Sequence, residues 1–138
     1  RVHKGLLVGG YVIMSNHIHT IWTAKKNNLS DIIRDFKSFT SKAITAAIEN
    51  EPESRREWLL YMSHFFANAT NANKIYKVWT GNNHPEELHS EPFLRSKLHY
   101  IHDNPVKAGI VAEQEHYLYS SAAAYQGQKG ITEVDYLY

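Results

Sequence analysis

With 138 residues, 43% of them hydrophobic, the chain can bury a core without covalent staples, and one domain spanning residues 1–138 is expected. It contains no cysteine, which excludes disulfides, thiolate metal sites and thiol nucleophiles and leaves His, Asn and carboxylates as metal ligands. Lys and Arg number 15 against 14 Asp and Glu, so any surface for a polyanion must be local rather than global.

No apolar run approaches the roughly 20 residues needed to cross a bilayer, and the first residues lack the charged-then-apolar layout of a secretory signal. A cytoplasmic protein with no membrane partner is expected. The runs Leu6 to Met14 (LLVGGYVIM) and Ile18 to Thr23 (IHTIWT) are rich in β-forming residues and are separated by the turn-forming pair Ser15 and Asn16, which predicts an antiparallel hairpin. Leu29, Ile32, Ile33, Phe36, Phe39, Ala43, Ile44, Ala47 and Ile48 then recur at helical spacing and predict a long amphipathic helix over Leu29 to Glu49, capped by Ser30 or Asn28. Its opposite face carries Arg34, Lys37, Ser38, Ser41 and Lys42, donors suited to phosphate oxygens, although such a face is more often plain solvated surface.

After Pro52, the pattern Trp58, Leu59, Met62, Phe65, Phe66 predicts a second amphipathic helix with its aromatics in the core. Ala67 to Lys74 reads as a polar loop and Ile75 to Thr80 (IYKVWT) as a strand ending at Gly81. Ser90, Glu91 and Pro92 open a third helix, which Pro105 should end close to Asn104, because the residue before a proline disfavours helical geometry. From Ala108 to Tyr138 a loop, a short Ser/Ala-rich segment and an edge strand are expected.

Two features carry chemistry. His17 and His19 alternate along an expected strand, so their side chains leave one face with Cα atoms about 7 Å apart and can grip one ion, while Ile18 points to the core. Taken alone, an H-apolar-H triplet is more often ordinary strand. Tyr100 and Asn104 sit four residues apart, on one face at the end of the third helix, with Lys97 on the same face. Taken alone, these are a surface tyrosine, a capping asparagine and a solvated lysine. Together the two features supply what phosphodiester cleavage by a tyrosine needs, a phenol and ligands for a divalent ion that makes the phosphorus more electrophilic.

These motifs, in order, resemble one family. YVIMSNHIH at Tyr11 to His19, DFKSFTSKAI at Asp35 to Ile44, KVWT at Lys77 to Thr80, YIHDNPVKAGIV at Tyr100 to Val111 and YLYSSAAAY at Tyr117 to Tyr125 are similar to the HUH-type single-tyrosine transposases, including the REP-associated tyrosine transposases. The resemblance implies an α+β, ferredoxin-like antiparallel sheet with helices packed on it and the histidines on a central strand. It implies His17, His19 and Asn104 as ligands of Mg²⁺ or Mn²⁺, and Tyr100 as the nucleophile that forms a 5′-phosphotyrosine on single-stranded hairpin DNA. Arg34, Lys37, Lys42 and Lys97 are the candidate DNA contacts. Ser15 stands where many relatives have proline, and relatives carry a further strand and helix before the histidine hairpin, so the segment is expected to be N-terminally incomplete. Monomer and homodimer both fit. Three other readings remain open: a catalytically silent hairpin-DNA binder, a small hydrolase that uses the histidine pair to activate water, and a purely structural or interaction domain, favoured only if neither metal nor DNA binds.

Overall fold

The computed structural model describes residues 4–69, 76–81 and 83–137. In chain order its elements are strands β1 (Leu6–Ile13) and β2 (Ile18–Ala24) and helices α1 (Leu29–Asn50), α2 (Arg56–Ala69), α3 (Glu91–Lys107) and α4 (Ala122–Tyr125), with one 3-10 turn at Gln114–His116. The fold is mixed α+β, and the chain divides into two compact units. One comprises the residues up to Leu29 together with those from Glu86 onward; the other is Ser30–Pro85. No described helix is long and apolar enough to cross a membrane.

In the first unit the expected hairpin forms. β1 and β2 pair antiparallel, and Met14 N–H donates to His17 O at 2.9 Å to close the turn. The register breaks between Val8 and Gly10, which leaves Gly9 as the extra residue of a bulge. Val12 and Ile21 of the hairpin form the core with Leu98 and Ile101 of α3. Gly10 lets the helix come this close: a Cβ there would lie 2.5 Å from Leu98 Cδ1 and 3.3 Å from Ile101 Cδ1.

The edge strand expected near the C-terminus shrinks to a single bridge between Val12 and Ser120. Two backbone bonds flank it, Ile13 N–H to Tyr119 O at 2.8 Å and Ser121 N–H to Tyr11 O at 2.9 Å, while the Tyr11 N–H goes to Ser121 Oγ at 2.9 Å in place of a carbonyl. The same edge of β1 is closed further along by Asp135, whose N–H donates to Val8 O and whose carboxylate accepts from Val8 N–H, each at 2.8 Å. β2 therefore has one partner strand among the described residues, and the wider sheet of a ferredoxin-like arrangement would need strands beside this pair.

α3 begins as expected, with Ser90 Oγ accepting the Phe93 N–H, but it runs past Pro105 to Lys107. Pro105 has no N–H for the Ile101 carbonyl, and the Asn104 side chain compensates: its Nδ2 donates to Tyr100 O at 2.8 Å and reaches Ile101 O at 3.5 Å. The proline ring itself is fully buried, so packing offsets the lost bond.

In the second unit α1 and α2 match the expected helices, although α2 extends through Ala67 to Ala69, residues the sequence assigns to a loop. Positions 70–75, which hold the rest of that loop and the first residue of the expected strand, lie outside the described residues. Tyr76 to Thr80 forms an irregular strap instead of a strand. Its backbone is drawn to α2, where Lys77 N–H donates to Ser63 O at 3.0 Å, so it has no ladder to join. The α2 aromatics are not core: Trp58 is 57% exposed and Phe65 52%.

Candidate active site

His17 lies in the turn just before β2 rather than within it, and His19 is the second residue of the strand. Their rings nevertheless meet, with centroids 5.0 Å apart at 76°. His17 Nδ1 is 2.6 Å from Asn16 Oδ1. An amide oxygen only accepts, so Nδ1 is the donor, and in the neutral ring Nε2 is then the nitrogen with the lone pair, the tautomer a metal ligand needs. His19 is half-buried, and burial first, then the neighbouring His17, lowers its pKa below the ordinary imidazole value. Both causes favour the neutral form of the His19 ring.

Tyr100 reaches the same place from α3. Its ring centroid is 5.8 Å from that of His19 at 71°, and the residue is 49% exposed, so the phenol is open to solvent. Asn104 follows one helical turn later. With its nitrogen spent on the helix carbonyls, its oxygen is the end left for a ligand, and it has no hydrogen-bond partner among the described residues. No group of three or more His, Cys, Asp or Glu converges among the described residues, so an ion here would rest on two imidazoles and an amide. That donor set fits a divalent ion: three neutral ligands leave its charge undiminished and positions open for phosphate oxygens.

The sequence reading missed Lys107. Its Nζ stands 5.6 Å from the Tyr100 ring centroid and is paired with Asp103 at 2.9 Å. Asp103 is held below the usual carboxylate range mainly by that bond and by Gln114. The signal was present, since Tyr100 and Lys107 are two helical turns apart on one face. Lys97, the cation the sequence favours, instead pairs with Glu86 at 2.5 Å and lies over the Phe93 ring.

Behind the site His102 is buried, with Nε2 2.7 Å from Ser121 Oγ. Burial, then His99, lowers its pKa to about 4. The expected DNA contacts Arg34, Lys37 and Lys42 all belong to the second unit. Arg34 pairs with Asp31 at 2.8 Å and Asp35 at 3.2 Å, Lys37 donates to Thr80 O at 3.0 Å, and Lys42 is exposed. No protein family, curated protein or solved structure matches the chain.

Proposed function

We propose that the chain cleaves and rejoins single-stranded hairpin DNA by metal-assisted transesterification, as an HUH-type single-tyrosine transposase with Tyr100 as nucleophile. The observation that carries this reading is the contact between His19 and Tyr100, a metal-ready imidazole and an accessible phenol delivered by separate elements. The same ancestry would make the β1–β2 pair part of a ferredoxin-like sheet.

His17, His19 and Asn104 are the residues that would hold Mg²⁺ or Mn²⁺. When bound, such an ion supplies Lewis-acid polarisation of a non-bridging phosphate oxygen. Tyr100 Oη forms a bond to phosphorus while the bond from phosphorus to the 3′ oxygen breaks. The phenolic proton passes to solvent, the 3′ oxygen takes one up as a free 3′-OH, and the strand stays on the enzyme as a 5′-phosphotyrosine. Attack by a DNA 3′-OH reverses the exchange, so the number of phosphodiester bonds is conserved and no nucleotide cofactor is consumed. Lys107, paired with Asp103, adds no net charge beside Tyr100, but its ammonium keeps protons to donate to a phosphate oxygen brought there.

The test is incubation of the chain with a library of single-stranded hairpins and Mn²⁺, read on a denaturing gel. A covalent band that disappears on chelation is expected. Products without any protein-bound DNA would favour the histidine hydrolase, and binding without cleavage the silent binder.

A further inference from the structure

We propose that the groove between α1 and the strap 76–81 holds the phosphodiester backbone of a single nucleic-acid strand. The groove has a volume of about 480 Å³. Lys37, Ser38 and Ser41 of α1 line one wall, and Tyr76, Lys77 and Trp79 line the other. It lies wholly within the Ser30–Pro85 unit, to which Tyr100 does not belong.

Three attachments hold the strap open over the helix. Trp79 Nε1 donates to Thr40 Oγ1 at 2.9 Å, and Thr40 Oγ1 in turn donates to Phe36 O at 2.7 Å. Lys37 Nζ donates to Thr80 O at 3.0 Å, which fixes the amine in the groove and leaves it two further protons to give. Lys77 N–H anchors the strap to Ser63 O of α2. The Trp79 ring packs beside Phe36, with centroids 5.8 Å apart. An irregular segment so tied is a preformed wall.

The lining has three cations, Arg34, Lys37 and Lys77, to one carboxylate, Asp35, in a chain whose net charge is only +1. Arg34 is already paired with Asp31 and Asp35, so the attraction comes from the two lysines. The Ser38 and Ser41 hydroxyls donate to oxygens as well as accept. Lysines with hydroxyls suit phosphate oxygens, and the Tyr76 and Trp79 rings in the same wall offer apolar surface to the base attached. An acidic peptide would use the charge but not the rings. The choice of DNA as the strand rests on the transposase reading; the groove itself does not.

The experiment is fluorescence anisotropy of the full chain with a labelled unstructured oligodeoxynucleotide over a salt series. Lys77→Ala should weaken binding and lower the slope of log K against log salt by about 0.7, the value for one single-strand phosphate contact. Ser38→Asp, which disturbs no strap attachment, should weaken binding by charge repulsion, with melting temperature unchanged in both variants. Lys42→Ala, outside the groove, should have the smaller effect. Wild-type affinity in Lys77→Ala and Ser38→Asp, an equal loss in Lys42→Ala, or competition by polyglutamate or inorganic phosphate as effective as by DNA would each overturn the proposal. If the groove variants weaken binding in a chain that never forms an adduct on Tyr100, the groove stands and the transposase reading falls.

Discussion

The rings of His19 and Tyr100 meet edge to face, 5.8 Å between centroids, although one residue sits on β2 and the other on α3. Nothing local to either residue produces this. It follows from how closely α3 lies on the hairpin, where Val12 and Ile21 meet Leu98 and Ile101.

Gly10→Ala tests that dependence. The added methyl would meet Leu98 and Ile101, the latter adjacent to Tyr100, and overpacking of this kind costs about 1–3 kcal/mol. The variant should fold, with a lowered midpoint in urea. Its rate of adduct formation, measured where the protein is fully folded, should fall as well because the helix is pushed away from the histidines. Unchanged stability would show that Leu98 can swing aside and that Gly10 does not set the spacing.

The proposed metal site makes a graded prediction. His17→Ala and His19→Ala should each abolish Mn²⁺ uptake in the presence of single-stranded DNA, as followed by calorimetry. Asn16→Ala should weaken it by about 10- to 100-fold, because the 2.6 Å contact that fixes the His17 tautomer is lost while both ligands remain. Wild-type uptake in both histidine variants would remove the metal from this site.

His102 gives a pH dependence of stability. Its folded pKa is depressed to about 4, so on acidification the unfolded chain takes up the proton first, near 6.5. The contribution is complete above that value and is lost as the pH falls toward 4, by at most on the order of 3 kcal/mol. Urea midpoints at pH 7.5 and 4.5 should therefore differ less in His102→Gln than in wild type, since carboxylate titration is common to both. Equal differences would mean that His102 does not carry the acid sensitivity.

Much of this was legible from residue patterns. The hairpin followed from two β-rich runs around Ser15 and Asn16, and α1 from its apolar period, because both signals are local. The α3 boundary failed because a proline rule about backbone cannot see that the Asn104 amide will serve the carbonyl freed by Pro105. The strap 76–81 failed because strand propensity needs a neighbouring strand, and α2 offered Ser63 O instead. Tyr100, His17 and His19 were legible as types of chemistry, but their convergence was legible only through the resemblance, since it depends on the packing of α3 over Gly10. His102 was overlooked within a motif read for its tyrosine and asparagine. Its place with Leu98, Ile101 and Pro105 on one buried stripe of α3 was nonetheless written in the spacing.

The decisive comparison is between Tyr100→Phe and Asn104→Ala, because the two residues share a helix face but act differently. Tyr100→Phe removes one oxygen from a half-exposed side chain whose ring packing against His19 and Lys107 survives. Its stability should stay within about 0.5 kcal/mol of wild type and its affinity for DNA should be kept, while the covalent band vanishes. Asn104→Ala removes the amide that serves the Tyr100 and Ile101 carbonyls, so it should cost about 1 kcal/mol of stability. On the proposed reading it also removes a metal ligand but leaves the nucleophile, so the adduct should still form, more slowly and with a higher Mn²⁺ requirement. Urea melts, anisotropy and a time-resolved denaturing gel on the same three proteins separate these outcomes. An adduct in Tyr100→Phe would assign the attack to another of the nine tyrosines. An Asn104→Ala variant that loses stability but keeps the wild-type Mn²⁺ requirement would leave Asn104 as the patch for Pro105 and nothing more.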